Sequence, residues 1–552
     1  MQTDSLPAGP AAVAGVDPAG YKWKVLGTVV FGIFMVILDS TVVNVAFQTL
    51  RQEFNSSLND AQWILSVYVL ALGISTPLAG FLADRFGAKR IYLTGLSIFV
   101  LGSLACGLAP NLGMLVAARA VQGFGGGIAL PVGIALLLNA FPASEQGMAL
   151  GIFGIAAIVA PALGPILGGW LVDSGHWRLI FFINPPIGLI GVLLGTRFLR
   201  RLRTDRRPPL DALGLVTEVI GFGAILYGAS NAATLGWSSP AVIVSFVVGG
   251  VGLVLFALVE LFVARAPLLD LRLFAKRVFL NASLLGYVSM IALFGAEFLM
   301  PLYLQALRGL SALETGLMLL PLAITGGLSV TLAGRLYDRL GPRPLVTAGF
   351  TLLVVNTWQL SQIRADTPLS WILVLLALRG LALGLTVQTT LVTALSVVPL
   401  KDLARGSSLT NATRNVVQSI GVALLATILA STISPQIQQL QKTFSGLPAS
   451  GVASTHVAGV CEPVQVASLA VGDSSATILT APDGATRGVG AVPPNLPALL
   501  KQACDENIAG FEKAYTVTFY AAMMALVLGL MLPGWPRKWG GRRAADRPPA
   551  GQ

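Results

Sequence analysis

The sequence contains few charged, histidine or cysteine residues for its length. Charged side chains make up 11% of the 552 residues, and the chain has only two His and three Cys. Neither His176 nor His456 has a neighbour at a metal-ligand spacing, so no metal centre and no cofactor are predicted. No G-x-x-x-x-G-K-[ST] sequence occurs, which argues against a nucleotide-binding loop as an energy source. We predict that the protein is not an enzyme.

Apolar residues dominate instead, at 55% of the chain with a mean hydropathy of +0.77. A helix needs about 20 apolar residues to cross a bilayer, so the hydrophobic segments predict about fourteen spans in an all-α polytopic membrane protein. These spans lie near residues 25–46, 61–83, 91–109, 113–139, 147–171, 179–199, 212–230, 241–264, 279–302, 312–334, 344–361, 370–397, 407–432 and 514–533.

The formal charge of +11 could indicate a nucleic-acid partner. The basic residues, however, fall in short loops on alternate sides of the spans, which is the positive-inside pattern of a membrane protein. Residues 1–21 lack the basic charge of a cleavable signal peptide. We therefore predict the lipid bilayer as a partner, no nucleic acid, and both termini in the cytoplasm of a bacterial cell with the chain in its inner membrane.

A G-x-L-x-D-R-x-G-x-[KR] sequence occurs twice, at residues 80–89 and 334–343. Internal repeats are typical of transporters in which two bundles rock about a site near the membrane midplane. Together, the spans, the positive-inside pattern and the repeat predict five segments. They are a cytoplasmic tail (1–24), a six-helix bundle (25–200), a basic loop with two inserted helices (201–264), a second six-helix bundle (265–533, including a long irregular outer loop at 433–513) and a cytoplasmic tail (534–552).

Four motifs together resemble one known family. They are the loop at 80–90, the sequence Leu115-x-x-x-Arg119-x-x-Gln122-Gly123-x-Gly125 in span 4, the Gly- and Pro-rich span 5, and residues 38–46 in span 1. The chain resembles the major facilitator superfamily, specifically its fourteen-span drug:proton antiporters of the EmrB/QacA type. In that family the first motif is shared by all members, the second by proton-coupled members and the third by antiporters. Phe47-Gln48 stands where the fourteen-span group usually has Leu-Pro.

The repeated loop is interpreted as a conformational latch between helix ends, because an acid and a base in a tight Gly-bounded turn can form charge-assisted bonds that rocking would break. The alternative is a positive-inside anchor only. The predicted latch residues are Gly80, Asp84, Arg85, Gly87, Arg90, Asp338 and Arg339. Span 5 has small residues that let two helices approach closely, as a gate or as a general packing face. This antiporter motif comprises Gly154, Pro161, Gly164, Pro165, Gly168 and Gly169.

Ionisable residues inside a bilayer are costly, so a protein that retains them usually uses them. Asp39 and Glu297 are predicted to face a central cavity and to carry protons, and Arg119 to sense or pair with that site. The alternatives are a packing hydrogen bond from Asp39 to Asn44 or Arg119, and a structural role for Glu297. Glu218 and Glu260 lie near span ends and are expected to snorkel to water without a role in coupling.

The candidate substrate cavity combines polar and aromatic side chains, although aromatics in spans more often pack or anchor interfaces. Its residues are Asn44, Trp63, Tyr68, Phe153, Phe294, Asn411, Arg414 and Gln418. Cys461 and Cys504 both fall in the long outer loop, where a disulfide or two free thiols are equally expected. Cys106 is expected to be a small packing residue.

These features predict proton-driven export of lipophilic, cationic organic compounds, with protons and a small organic molecule as partners. A periplasmic adaptor protein is left open. Two alternatives remain: a dedicated exporter of one endogenous metabolite such as an antibiotic, lipid or siderophore, and a non-transporting membrane scaffold or sensor.

Overall fold

The computed structural model describes residues 18–56, 58–200, 211–264, 267–432, 434, 461, 465–471, 474–480, 486–489 and 496–534. Nearly all of this chain is helical. The α-helices, numbered here in chain order, are α1 (Pro18–Glu53), α2 (Leu58–Phe86), α3 (Ala88–Gly107), α4 (Leu112–Ala140), α5 (Gln146–Asp173), α6 (Leu179–Phe182), α7 (Asn184–Phe198), α8 (Ala212–Leu235), α9 (Pro240–Leu258), α10 (Arg277–Leu302), α11 (Ala312–Leu340), α12 (Pro342–Leu360), α13 (Leu369–Ser396), α14 (Leu403–Ser431) and α15 (Leu496–Gly529).

Short irregular turns extend several of these helices. A π-helical turn follows α9 at Val259–Val263, and another follows α10 at Tyr303–Leu307. The 3₁₀ turns are Ala143–Glu145, Leu271–Ala275 and Leu400–Asp402. Their positions beside helix ends satisfy backbone groups that a regular α-helix would leave unpaired at its termini.

Local chemistry explains several helix starts. Asn111 and Asp211 each accept a hydrogen bond from a backbone N–H in the first turn of α4 and α8, which satisfies a donor that the helix leaves unpaired. Ser311 and Glu314 form a reciprocal capping box at the start of α11. Proline occupies the first turn of α7, α9 and α12, where its missing N–H costs little.

Eleven helical stretches within the described residues are long and apolar enough to cross a membrane. One of them joins α6 to α7, and another joins α9 to the π-helical turn that follows it. The helices α10, α12 and α15 lie at the other three predicted span positions, but they are outside this set of eleven. The all-α membrane class is confirmed, whereas the count of fourteen spans stays a prediction.

The helices pack as two bundles with a hairpin beside them. Helix α1 packs on α4, α5 and α7 while α2 and α3 pack on α4; on the other side α13 packs on α10, α11 and α12, and α15 packs on α10, α12 and α14. The two bundles meet where α5 contacts α11 and where α2 contacts α14. The inserted hairpin of α8 and α9 lies against both α2 and α14 through α8.

The predicted irregular loop contains regular structure, which corrects the expectation for residues 433–513. Strands β1 (Gln465–Val471), β2 (Ser474–Thr480) and β3 (Thr486–Val489) form an antiparallel sheet in sequential order, with Gln465 opposite Thr480 and Val471 opposite Ser474. Val, Ile and Thr in the first two segments, separated by Gly472-Asp473, are a hairpin signal that hydropathy alone overlooks.

The last helix begins at Leu496, well before the predicted start of the last span near residue 514. Its early turns mix apolar residues with charged and amide residues between Lys501 and Lys513, so this part gave no continuous hydropathy signal. Cys504 in these turns is bonded to Cys461, with a Cα–Cα distance of 5.0 Å. Cys106 is a buried free thiol, as expected for a packing residue.

Candidate functional site

A buried ion pair joins α1 to α4 in the interior of the first bundle. The carboxylate of Asp39 lies 2.6 Å from Nη1 of Arg119. Both side chains are fully buried, with relative exposures of 0% for Asp39 and 1% for Arg119. In this state Asp39 therefore pairs with Arg119 between packed helices, which is the alternative role given above. Asp39 is not open to a cavity here, which corrects the expectation that it faces one.

Three further side chains complete the cluster around Asp39. Gln122 donates from Nε2 to Asp39 Oδ1 at 2.9 Å, and Asn184 donates from Nδ2 to the same oxygen at 2.7 Å. Oε1 of Gln122 in turn accepts from Arg119 Nη1 at 2.8 Å. The aromatic ring of Tyr68 lies 4.0 Å from the Arg119 guanidinium carbon, in cation–π geometry. We call these five side chains the Asp39 cluster.

The cluster is tied to the backbone of the surrounding helices. Arg119 donates from Nε to the carbonyl of Ile64 at 3.1 Å, and the hydroxyl of Tyr68 donates to the carbonyl of Val36 at 3.1 Å. Asn184 also donates to the hydroxyl of Ser103 at 3.0 Å. Protonation of Asp39 would remove the charge that balances Arg119, so it would change the bonding of α1, α2, α4 and α7 at once.

Two members of this cluster were missed by sequence reasoning. Gln122 stands three residues after Arg119 in the quoted span-4 motif, and i, i+3 spacing places both on one helix face. Asn184 precedes Pro185-Pro186, which marks a helix start inside a hydrophobic segment. An amide buried beside that start was a detectable polar anomaly, although its partner could not be read from the sequence.

The predicted cavity residues of the first bundle separate into two groups. Tyr68 belongs to the Asp39 cluster, and Phe153 is packed in the hydrophobic core at 3% exposure, so neither lines an open cavity in this state. Asn44 is exposed, and the amides that hydrogen-bond to Asp39 are those of Gln122 and Asn184 instead. Trp63 is partly exposed and lies 5.9 Å, ring to ring, from Tyr227 of the inserted hairpin.

In the second bundle, the side chains of Glu297 and Phe294 lie outside the described residues. Arg414 is buried and donates from Nη2 to the carbonyl of Val387 at 3.0 Å. Asn411 donates to the carbonyl of Ser407 one turn earlier, and Gln418 is half-buried. Arg414 and Asn411, predicted as cavity residues, therefore bond backbone carbonyls in this state.

The second bundle also contains a fully buried arginine, Arg379. Arg379 in α13 is 0% exposed and donates from Nη2 to the carbonyl of Ala292 at 2.6 Å and from Nη1 to Asn356 Oδ1 at 3.3 Å. It lies in the helix that corresponds to α4 in the other half, so Arg119 and Arg379 are placed alike within their bundles.

The repeated loops contact the opposite bundle at the end of the molecule that carries both of them, here called the motif end. Asp84 of α2 lies 2.6 Å from Nε of Arg405 in α14. The Nε–H bond is not aligned with this contact, so it is an ion pair rather than a directed hydrogen bond. Asp338 of α11 accepts from the backbone N–H groups of Gly147 and Met148 at 3.1 and 3.2 Å, at the start of α5.

The remaining latch residues are arranged in parallel in the two halves. Gly87 and Gly341 both have positive φ, at 93° and 80°, which only glycine adopts without strain at these turns. Gly80 lies so close to α14 that an added Cβ would be 2.8 Å from Arg405 Cα. Arg90 and Arg339 are exposed, and Arg85 lies over the ring of Phe86.

The antiporter motif of α5 faces two partners along its length. Near its start, Gly147 and Gly151 touch the backbone of α11 around Gly334 and Val330, and Gly154 packs against Gln388 of α13. Further along, Gly164 and Gly168 pack against α1 at Thr41 and Val42. Pro161 and Pro165 lie inside the helix, and Gly169 is buried. Gly154 thus lies at the bundle interface, whereas Gly164 and Gly168 lie against a helix of their own bundle.

Glu218 and Glu260 differ from expectation. Both are buried rather than reaching water, because the hairpin that carries them packs on α2 and α14 instead of standing free in lipid.

Two helical bundles that meet through repeated contacts, with a buried ion pair inside one of them, define a multi-pass membrane transporter. A family model described as Major Facilitator Superfamily matches residues 29–422. The chain belongs to the major facilitator superfamily. The family and its fold are those of transporters rather than enzymes.

Several curated proteins are similar over most of their length. The chain is 34% identical over 409 residues to the uncharacterized MFS-type transporter YhcA of Bacillus subtilis (74% of this chain and 77% of that protein). It is 32% identical over 400 residues to the lincomycin resistance protein LmrB of B. subtilis (72% and 83%). It is 30% identical over 518 residues to the multidrug resistance protein B homolog of Mycobacterium tuberculosis (92% and 89%).

Solved structures share the fold at low sequence identity. The human organic anion transporter MFSD10 aligns with a TM-score of 0.54 and 13% identity, covering 91% of this chain and 99% of that chain. A bacterial homolog of the human lysosomal transporter Spinster aligns with a TM-score of 0.54 and 16% identity, covering 93% and 98%. At these identities the likeness carries the fold alone.

Proposed function

We propose that this transporter is a proton-coupled antiporter that exports lipophilic, cationic organic compounds by alternating access. The observation that carries the proposal is the Asp39 cluster, a fully buried carboxylate balanced by one guanidinium. Burying an ion pair in a membrane is costly unless its geometry is excellent or its charge change is used. A carboxylate with one counter-charge and two amide donors can hold or release a proton once movement of its helices opens the cluster to water.

Proton coupling follows from the bonding of that cluster. When Asp39 takes up a proton, Arg119 loses its counter-charge and keeps only the carbonyl of Ile64, Gln122 and the ring of Tyr68. The strain favours a rearrangement of α1 against α4 that exposes the pair to one side. Glu297 in α10 is proposed as the corresponding acid of the second bundle, because α10 is the first helix of that bundle.

The latch residues supply the conformational step. The Asp84–Arg405 pair and the Asp338 cap on α5 each link one bundle to the other at the motif end. Both contacts must break before the bundles can separate there. The close packing of α5 on α11 then serves as the interface about which the bundles rock. In this scheme the structure is closed at the motif end.

The direction and cargo are inferred from relatives. Proteins named for lincomycin resistance and multidrug resistance are 30–32% identical over most of the chain. A bacterial inner-membrane protein with the motif end and both termini in the cytoplasm would place the disulfide on the oxidising side, where such bonds persist. A periplasmic adaptor protein remains a proposed partner only. A dedicated metabolite exporter and a non-transporting scaffold or sensor are the alternatives.

The decisive experiment measures drug-dependent proton movement in proteoliposomes with an imposed pH gradient. The wild type should move protons when a lipophilic cation is added, and both Asp39→Asn and Glu297→Gln should abolish the response. Glu53→Gln is the matched control, because Glu53 is an exposed carboxylate on the same helix as Asp39. Persistent coupling in Asp39→Asn would overturn the assignment, and an absence of any transport would favour the scaffold alternative.

Breadth of cargo is tested separately. Growth inhibition of a pump-deficient bacterium by a panel of antibiotics, dyes and biocides should be relieved for several unrelated lipophilic cations. Relief for one compound only would favour the dedicated exporter.

A further inference from the structure

Two carboxylates of the inserted hairpin lie where the Asp39 mechanism does not use them. Glu218 of α8 is 0% exposed, and Glu260, in the π-helical turn after α9, is 2% exposed. Within the described part of the chain, neither oxygen of Glu218 has a hydrogen-bond partner. An ionised carboxylate without partners is strongly disfavoured in a buried position. Glu218 should therefore hold a proton in this state.

Glu260 is only partly satisfied. Its Oε1 accepts from the backbone N–H of Leu268 at 3.1 Å, and its Oε2 has no partner among the residues that are described. An added Cβ on Gly214 would lie 2.9 Å from Oε1, so the carboxyl rests against the first turn of α8. The N–H of Gly214 also donates to Asp211 at 2.9 Å, which brings another acid to this corner.

The charges facing this corner come from every element around it. Glu218 interacts electrostatically with Glu260, and Glu260 also with Asp211 and Arg405. Arg405 of α14 is the cation in that set, and it is already paired with Asp84 of α2. In the 3₁₀ turn beside α9, Arg272 donates to the carbonyl of Leu261, and its own N–H is capped by Asp270.

Arg405 therefore interacts with two acids, Asp84 of the latch at 2.6 Å and Glu260 of the hairpin electrostatically. Helix α8 packs on both α2 and α14, so the acids lie beside the contact that joins the two bundles. Whichever site carries more negative charge will attract the guanidinium more strongly. The charge state of the glutamates is thus coupled to the strength of the Asp84–Arg405 pair.

We propose that Glu218 and Glu260 form a proton site that controls the Asp84–Arg405 latch, a role that rests on the proposed antiport function. With both glutamates protonated, neither competes for the guanidinium and Arg405 stays with Asp84. When one glutamate releases its proton to water at the motif end, the new carboxylate pairs with Arg405. The latch contact is lost and the bundles open at this end; proton uptake reverses the sequence. The inserted hairpin is thereby a sensor of pH at the motif end.

The test measures the α2–α14 distance at the motif end against pH, without substrate or gradient. Spin labels on Phe86→Cys and Leu400→Cys report it, because both positions are exposed and flank the latch. Cys106 is buried and the other two cysteines are bonded to each other. In nanodiscs the wild type should shift from the short to the long distance as pH rises.

The double variant Glu218→Gln, Glu260→Gln should keep the short distance across the same pH range, because an amide cannot release a proton. Glu218→Asp, which retains a carboxyl, should keep a pH response. Glu512→Gln, an exposed acid of α15, is the matched control and should follow the wild type. A double variant with the wild-type pH profile would overturn the proposal.

A second measurement detects the protonated carboxyl directly in the folded wild type, so the proposal does not depend on the double variant alone. Infrared difference spectra of the wild type should contain a band from a buried protonated carboxyl, and Glu218→Gln should lack it. Identical spectra would also overturn the proposal. Neither the distance measurement nor the infrared measurement requires transport. A failure of drug-dependent proton movement would therefore count against the antiport function without changing the outcome of these two tests.

Discussion

Removing one member of the Asp39–Arg119 pair should destabilise the protein more than removing both. In Asp39→Asn, Arg119 stays charged at 1% exposure and keeps only neutral partners. Breaking a buried pair in this way costs about 3–5 kcal/mol. A loss of about 3 kcal/mol raises the equilibrium constant for unfolding by roughly two orders of magnitude. The amide introduced by this substitution keeps one oxygen to accept from Gln122 and Asn184, but its NH2 group then faces the Nη1 donor of Arg119, which adds to the cost.

The double variant Asp39→Asn, Arg119→Gln has no buried charge left to compensate. It should therefore lose less free energy of unfolding than either single variant. The single variants should also differ with pH, because Asp39 in Arg119→Gln can take up a proton at low pH whereas Arg119 in Asp39→Asn cannot lose one. The destabilisation of Arg119→Gln should shrink as pH falls, and that of Asp39→Asn should not.

The assay is reversible unfolding in bicelles, measured for the wild type, both single variants and the double variant at two pH values. The four free energies form a double-mutant cycle whose interaction term isolates the pair. If the effects of the single variants simply add, within about 0.5 kcal/mol, the two groups are not coupled and the reasoning about the cluster is wrong.

Three further predictions test other contacts. Gly147→Leu should slow transport about tenfold or more by forcing α5 from α11 at a cost of roughly 1–3 kcal/mol, whereas Gly27→Ala, in open space, should leave the rate unchanged. Cys504→Ser should lower thermal stability, and a reducing agent should reproduce the loss in the wild type but add nothing in the variant. The Ser434 N–H lowers the pKa of Glu506, so this contact should persist above about pH 4 and be lost as pH falls further. The loss should appear as a smaller hydrogen-exchange protection factor at Ser434, measured against the intrinsic rate at each pH.

Helix positions and the repeat were within reach of the sequence because both depend on local signals. A run of apolar residues must become a helix in a bilayer, since its backbone groups have no water to bond. The repeat put an aspartate in the same turn of each half, and Asp84 and Asp338 both contact the opposite bundle. Their partners differ, a guanidinium in one case and two backbone N–H groups in the other, and no local signal distinguishes these.

The sequence by itself determined the class of protein, the family, the paired halves and the presence of Asp39 and Arg119 in apolar helices. Tertiary structure alone decided that these two meet, that Gln122 and Asn184 complete their bonding, and that Phe153 belongs to the core. It also decided that Glu218 and Glu260 are enclosed, because the hairpin packs against α2 and α14. Hydropathy reports how much of a helix avoids water, whereas the packing of helices sets which polar group faces which.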